Sequence, residues 1–231
     1  MRPDRRNVLA LIAGGAALIP LRPALALSAD AAQAMIQKTV SEVYAVINSG
    51  QPPAQLYRQF EAIFARRADV DIIARTVLGP AARQAGPAQY AAYEQAFQGY
   101  MGRKYGKRFR EFVGGRVEVG AARPLKSYFA VRSTAYLNGR APMEVEWHVS
   151  DKGGGIRFFN IIIEGVNMLA SERSEMSAML AQNRGDLAAL RELHELEPPP
   201  VLVPVCRESQ KKKMIIQEGK GETGRGLRPP L

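Results

Sequence analysis

The hydrophobic positions in the first half of the chain follow a helical period. Between residues 30 and 47 they recur every three to four positions, and the polar segment NSGQPP (48–53) predicts the end of this helix. A second helix is predicted over residues 54–67 by the same spacing. The segment DVDIIARTVL then predicts a short helix, which ends at Gly79 and Pro80.

The longest predicted helix follows Pro87 and ends before Gly114 and Gly115. Its aromatic side chains recur every three to five positions, so they form a stripe along one side of the helix. Such a stripe is more often packed in a core, but large aromatic rings also wall apolar cavities. Both interpretations stay open for these residues: Tyr90, Tyr93, Phe97, Tyr100, Tyr105, Phe109 and Phe112.

Beyond Gly115 the hydrophobic period changes from about 3.6 to 2, which predicts strands. The turn signals Asn138-Gly139 and DKGGG separate the later strands, so a meander of four antiparallel strands is expected. The strands are RVEVGA (116–121), SYFAVRSTAYL (127–137), PMEVEWHVS (142–150) and IRFFNIII (156–163).

Two helices are predicted after the sheet, in the segments ASERSEMSAMLAQNRG and DLAALRELHEL. The chain is therefore predicted to be α+β, with N-terminal helices, a curled four-stranded antiparallel sheet and C-terminal helices. The last strand is apolar on both faces, and both faces must be covered. Helices cover one face; the other needs more protein or an apolar ligand.

The two ends of the chain differ from this central part. Residues 1–26 combine a basic start, an apolar run and the small-residue pattern Ala24-Leu25-Ala26, which predicts a cleaved export signal. Arg5-Arg6 is compatible with either a twin-arginine signal or an ordinary basic start. Residues 201–231 lack a period and are rich in Gly, Lys and Arg, so a disordered basic tail is predicted. Residues 27–200 form the predicted domain.

Composition narrows the function classes. The chain has 231 residues, 46% hydrophobic and 23% charged, which is ordinary for a soluble globular protein. Its net charge of +10 is concentrated at the two ends, and the mildly basic remainder does not favour nucleic-acid binding. The single cysteine, Cys206, excludes an intramolecular disulfide.

Catalytic motifs are poorly supported. The sequence lacks the metal, thiol and nucleophile-elbow signatures of common hydrolases. His148 shares a strand face with Glu144 and Glu146, a constellation with acid–base potential, but an alternating polar row favours a solvated face. GKGETGRG (219–226) lacks the Lys-Ser/Thr pair and the flanking elements of a phosphate loop. No enzyme activity, metal or cofactor is predicted.

Four stretches resemble the periplasmic MlaC-like phospholipid carriers, also called toluene-tolerance proteins, in order and spacing over about residues 30–196. They are DVDIIARTVLG (69–79), QYAAYEQAFQGYMGRKYGKRF (89–109), PMEVEWHV (142–149) and NIIIEGVNMLASERSEM (160–176).

The resemblance implies a soluble, monomeric periplasmic shuttle whose cargo is a phospholipid. Its tails would occupy a cavity between the curled sheet and the helices. Its partners would be an outer-membrane lipoprotein complex and an inner-membrane ABC transporter, and its role would be to maintain outer-membrane lipid asymmetry. The expected lipid-contacting residues come from the long helix, the sheet and its rim: Phe97, Tyr100, Tyr105, Val131, Val145, Trp147, Ile161, Ile163, Val166 and Met168.

Other interpretations remain open at this point. Arg75 and Arg108 are secondary candidates for a phosphate contact, with surface charge as the favoured explanation. A hopanoid or sterol-like cargo would suit the same cavity. A small cone-shaped α+β isomerase or hydratase would also enclose an apolar pocket, but needs an inward general base. A structural adaptor would have a filled interior.

Overall fold

The computed structural model describes residues 27–109 and 112–190. The helices are α1 (Ala29–Ile47), α2 (Pro53–Arg67), α3 (Val70–Leu78), α4 (Ala81–Gln84), α5 (Pro87–Phe109) and α6 (Met168–Gln182). The strands are β1 (Arg116–Leu125), β2 (Tyr128–Tyr136), β3 (Met143–Ser150), β4 (Arg157–Ile163) and β5 (Val166–Asn167).

The helix boundaries follow from local capping chemistry. The side chains of Ser28, Asp69 and Asn167 accept hydrogen bonds from backbone N–H groups in the first turns of α1, α3 and α6. Helix α3 ends at Gly79, whose φ of +66° is a left-handed value that glycine adopts without a Cβ clash. These caps satisfy backbone groups that the helices leave unpaired at their ends.

The five strands form one antiparallel sheet in the order β1-β2-β3-β4-β5. Register shifts interrupt the ladders between Val119 and Ala122 and between His148 and Val149. Such bulges bend and twist a strand, which favours the predicted curl. Four strands were expected, and the fifth is the two-residue β5, which pairs with the end of β4 before α6 begins.

Helices α2 and α5 pack at very short range because α5 has glycines at the contact. A Cβ on Gly102 would lie 2.7 Å from the Cβ of Glu61, and one on Gly106 would lie 2.9 Å from the Phe60 ring. Any side chain at these positions would push the two helices apart. Helix α1 lies against the sheet, and α3 packs against α6.

The main core lies where α3 and the first half of α5 meet the sheet. Tyr93, Phe97 and Tyr100 of α5 are fully buried there, together with Val131 and Val149 from the sheet. A second, smaller cluster joins the C-terminal end of α1 to the buried side of α2: Val46, Ile47, Leu56, Phe60 and Ile63.

The predicted α+β class is confirmed, with helices before and after an antiparallel sheet. The last predicted helix is described only as far as Leu190. The export signal over 1–26 and the basic tail over 201–231 lie outside the described residues and stay predictions.

Candidate functional site

Two apolar chambers lie between the helices and the sheet. Chamber 1 is bounded by helices α1–α3, the second half of α5, strands β3 and β4 and the start of α6. Chamber 2 is bounded by α1, the end of α5 and strands β1–β4. They have a common wall, formed by Val43, Tyr105, Phe109, Trp147 and Ile161.

The empty space, including the part open to solvent, is about 750 Å³ in chamber 1 and 870 Å³ in chamber 2. The linings are almost entirely aliphatic and aromatic. Ionisable exceptions other than tyrosine are Glu172 in chamber 1 and Arg108 and Arg140 in chamber 2.

Strand alternation places the sheet side chains in the common space. Ser133 pairs with Val145, and Val145 pairs with Ile163, so these three lie across one face of the sheet. Trp147 pairs with Ile161 on the same face. The register shift after His148 changes the alternation in β4, so the consecutive residues 158–161 all border chamber 1.

Trp147 is fixed in the wall between the chambers by its indole N–H. Its Nε1 donates to Ser133 Oγ over 2.9 Å, and that hydroxyl lies 3.3 Å from the carbonyl oxygen of Val145. The ring meets Phe158 edge-on with 5.4 Å between centroids. Since the indole donor has a partner, the remaining ring surface is available to the apolar space.

A buried charge cluster borders chamber 1. The Nζ atom of Lys104 lies 2.9 Å from Glu172 Oε1 and 2.6 Å from Glu175 Oε2, and the hydroxyl of Tyr105 donates to Glu172 over 2.8 Å. The side chains of Lys104 and Glu172 are 1% and 2% exposed. This cluster joins α5 to α6.

The pKa values in the cluster reflect two carboxylates around one ammonium. Burial opposes the charge of Lys104, but Glu172 and Glu175 outweigh it and raise its pKa above the ordinary value. Burial raises the pKa of Glu172, with Lys104 and Tyr105 opposing the shift. The ammonium therefore stays protonated, and the cluster contains more carboxylate than cationic charge.

His148 lies on the opposite face of the sheet, and the expectation that it is solvated is wrong. It is 8% exposed because the rings of Tyr128 and Phe159 cover it, 4.7 and 5.8 Å away between centroids. Its Nε2 lies 3.1 Å from Glu146. Burial raises the pKa of Glu146, but hydrogen bonds from Arg123 and His148 outweigh it and lower the pKa.

Most of the predicted lipid-contacting residues border the chambers: Tyr105, Val145, Trp147, Ile161, Ile163 and Met168. Phe97, Tyr100 and Val131 belong to the packed core instead, since α3, α6 and the sheet enclose that half of α5. Val166 lies in β5 beside Ile163, outside both linings. Contact with lipid stays a prediction for all ten.

Sequence reasoning missed the parts of the lining contributed by the earlier helices and the end of α5. Amphipathic spacing had marked most of the helical members as buried, which is the signal a core and a cavity wall share. The two consecutive phenylalanines of β4 both border chamber 1 only because of the register shift, which the sequence does not indicate. The missed residues include Val43, Phe60, Ile63, Phe64, Phe109, Phe112, Phe158, Phe159 and Leu169.

The two secondary candidates for a phosphate contact, Arg75 and Arg108, differ in their position relative to the chambers. Arg75 forms an ion pair with Asp71 over 2.9 Å on α3, and its guanidinium lies over the ring of Tyr90, outside both chambers. Arg108 borders chamber 2 near the end of α5.

The part of the chain that the structure describes contains no group of three His, Cys, Asp or Glu side chains arranged to hold a metal ion. None of its helices combines the length and apolar character needed to cross a membrane.

Comparisons with known proteins agree with this architecture. A phospholipid-binding protein from Ralstonia solanacearum, solved in complex with a phospholipid, matches with a TM-score of 0.61 and 21% identity. The match covers 71% of this chain and 94% of that one, and it supports the fold. The model of the MlaC protein family matches residues 37–195. Since this match covers more than half of the chain, the protein belongs to the MlaC protein family.

Proposed function

We propose that this protein binds one diacyl phospholipid and carries it through the periplasm between the outer membrane and an inner-membrane ABC transporter. The observation that carries the proposal is the pair of apolar chambers with a common wall at Trp147. Each chamber accommodates one acyl chain. The phospholipid bound by the Ralstonia solanacearum protein, which has the same fold, supports this cargo.

The physical chemistry of the chambers suits a carrier. Burial of each acyl methylene contributes about 0.8 kcal/mol relative to water, so the lipid does not dissociate into the aqueous phase. A bilayer provides an equally apolar environment, and transfer between the two is therefore nearly balanced. Such a protein exchanges lipid in either direction once a membrane-bound partner opens the chambers.

The single tryptophan provides a direct test of occupancy. Trp147 is the only Trp in the chain and borders both chambers, so a phospholipid with brominated acyl chains quenches its fluorescence when bound. Native mass spectrometry of protein purified without detergent gives the mass and stoichiometry of the natural cargo. One diacyl phospholipid per protein is the expected result.

A matched pair of variants separates chamber binding from adsorption to the surface. Ala135 borders chamber 2, whereas Thr134 lies next to it on the opposite face of the sheet. We expect Ala135→Phe to fill the chamber and abolish quenching, while Thr134→Phe retains it. Equal quenching in both variants, or a protein that stays empty when offered liposomes, contradicts the proposal. A bound sterol-like lipid contradicts the phospholipid cargo and keeps the carrier class.

Transport itself requires export and partners. Protein recovered from the periplasmic fraction is expected to begin after Ala26, which N-terminal mass mapping tests. Transfer of labelled phospholipid to membranes containing the ABC transporter, and its absence with transporter-free membranes, tests the partner. Retention of the chain in the cytoplasm contradicts the shuttle.

A further inference from the structure

The ionisable side chains other than tyrosine that border the two chambers have opposite signs. Chamber 1 has the carboxylate of Glu172, which is buried beside Lys104. Chamber 2 has the guanidinium groups of Arg108 and Arg140, in an otherwise uncharged lining apart from the phenols of Tyr44 and Tyr105. An anionic group on a ligand is repelled from the first and attracted by the second.

The two arginines come from different elements that meet at the same end of the molecule. Arg108 is half-buried near the C-terminal end of α5, and Arg140 is exposed in the connection between β2 and β3. Both side chains border the same chamber. A guanidinium presents several N–H donors in a planar array that matches phosphate oxygens.

Tyr44 of α1 adds an unused hydrogen-bonding group to the same chamber. Its ring borders chamber 2, and its hydroxyl is buried without a hydrogen-bond partner among the described residues. A buried polar atom without a partner costs about 1–3 kcal/mol, so an oxygen atom of a bound ligand would relieve this cost. The other hydroxyl groups of the chamber, those of Ser133 and Tyr105, already have partners.

We propose that Arg108, Arg140 and Tyr44 form a subsite for the phosphate group and adjoining oxygens of the ligand. This inference rests on the proposed lipid-binding function and extends it. The headgroup lies at chamber 2, and the lipid is oriented with its phosphate away from Glu172. The cargo is therefore a phosphate-bearing lipid in preference to a neutral lipid with the same tails.

A competition between two lipids that differ only in the headgroup tests the subsite. The full protein is incubated with mixed micelles of a nonionic detergent that contain equal amounts of dioleoylphosphatidylglycerol and dioleoylglycerol. Bound lipids are then quantified by mass spectrometry. The wild-type protein is expected to prefer the phosphate-bearing lipid, and the double variant Arg108→Gln/Arg140→Gln to lose about tenfold to thirtyfold of this preference.

Total lipid occupancy separates this inference from the proposed function. In the double variant, the ratio of bound phosphatidylglycerol to bound dioleoylglycerol is expected to fall. When dioleoylglycerol is offered as the single lipid, the amount bound is expected to equal that of the wild-type protein. The control Arg58→Gln/Arg83→Gln removes the same charge from exposed positions outside both chambers and keeps the wild-type ratio. Arg108→Lys/Arg140→Lys retains both charges and is expected to retain part of the preference. This variant keeps the test informative if the glutamine variant fails to fold.

An unchanged ratio in Arg108→Gln/Arg140→Gln, or no preference in the wild-type protein, overturns the subsite. Absence of both lipids from the wild-type protein refutes the proposed function instead. Inorganic phosphate distinguishes the source of the anion. If it binds to the wild-type protein and not to the double variant while the lipid ratio is unchanged, the arginines bind free phosphate and the headgroup assignment is overturned.

Tyr44→Phe gives a readout that a purely structural tyrosine would not. Removal of the unpaired hydroxyl is expected to raise the thermal stability of the lipid-free protein, whereas the affinity for phosphatidylglycerol falls about threefold or more. A loss of stability in the lipid-free variant, or an unchanged affinity, overturns the assignment of the hydroxyl to the ligand.

Discussion

The charge cluster between α5 and α6 allows a quantitative prediction for Lys104→Met. Methionine keeps much of the aliphatic stem of lysine but removes the ammonium group. In the variant, Glu172 and Glu175 lose the cation that lies 2.9 and 2.6 Å from their oxygens. Glu175 is 34% exposed and is solvated by water, but Glu172 is 2% exposed and becomes an unpaired buried charge.

The expected cost follows from this burial. Removal of one partner from a buried ion pair destabilises a protein by about 3–5 kcal/mol, because the remaining charge stays desolvated. For a chain of this size, each kcal/mol lowers the melting temperature by about 2–4 °C. Lys104→Met should therefore lower it by about 6–20 °C. Lys104→Met/Glu172→Gln removes the unpaired charge and should recover part of this loss.

The stability deficit of Lys104→Met should also depend on pH. Without Lys104, the folded-state pKa of Glu172 rises further above its unfolded value. A raised carboxyl pKa contributes stability that is present below the unfolded pKa and is lost as pH rises through the folded pKa. The deficit of Lys104→Met relative to wild type should therefore shrink as the pH falls from 7 towards about 5.

Urea unfolding of the lipid-free protein at several pH values measures the deficit directly. The matched control is Lys38→Met, which makes the same change at an exposed position on α1 and should stay within about 0.5 kcal/mol of wild type. A loss below about 1 kcal/mol for Lys104→Met, or a deficit that does not depend on pH, would refute the reasoning.

Three further predictions concern other regions. Gly102→Ala should destabilise by about 1–3 kcal/mol despite its better helix propensity, because the new Cβ would lie 2.9 Å from the Cα of Glu61. Gly86→Ala, with its nearest contact at 3.7 Å, is the control; equal stability of the two variants in thermal melts would contradict the close packing. The hydrogen bond from Arg67 lowers the pKa of Glu42 below 4.5, although burial acts in the opposite direction. The stability that this ion pair contributes is therefore present above pH 4.5 and is lost as the pH falls through the lowered pKa. Glu42→Gln should accordingly weaken the dependence of the free energy of unfolding on pH in the acid range. An unchanged pH dependence would show that the ion pair between Glu42 and Arg67 does not contribute to stability. Trp147→Phe should retain its bound phospholipid in native mass spectrometry, because phenylalanine keeps an aromatic wall between the chambers; loss of the bound phospholipid would mean that the indole is needed for the chamber itself.

Local patterns in the sequence predict most of the secondary structure. The change of hydrophobic period at Gly115 coincides with the change from helices to strands, and Gly79 ends α3 where it was expected. These features depend on neighbouring residues, which the sequence displays directly. The short strand β5 was not predicted, because two residues show no period and its pairing with β4 is a tertiary contact.

The aromatic stripe of α5 shows where sequence reasoning fails for the site. Phe97 and Tyr100 are enclosed by neighbouring elements, whereas Tyr105 and Phe109 of the same helix border the chambers. The side chains are of the same type and follow the same period. The difference arises from which elements cover each half of the helix, and the sequence of α5 does not contain that information.

The same limit explains the last strand, whose two faces are both apolar. The pairing of Trp147 with Ile161 places Ile161 and Ile163 towards the chambers, and Phe159 also contacts His148 and Tyr128 on the outer face. Phe159 can do this because the ladder shifts register beside it. A single extra residue in the strand therefore brings the consecutive residues 158–161 to chamber 1, and we expect this irregularity to be the origin of the apolar space beside Trp147. Deletion of Phe159 should restore regular strand pairing and reduce the quenching of Trp147 by brominated lipid. Phe159→Leu keeps the extra residue and should retain the wild-type quenching. A deletion variant that folds and binds lipid normally would exclude the bulge as the origin of the cavity.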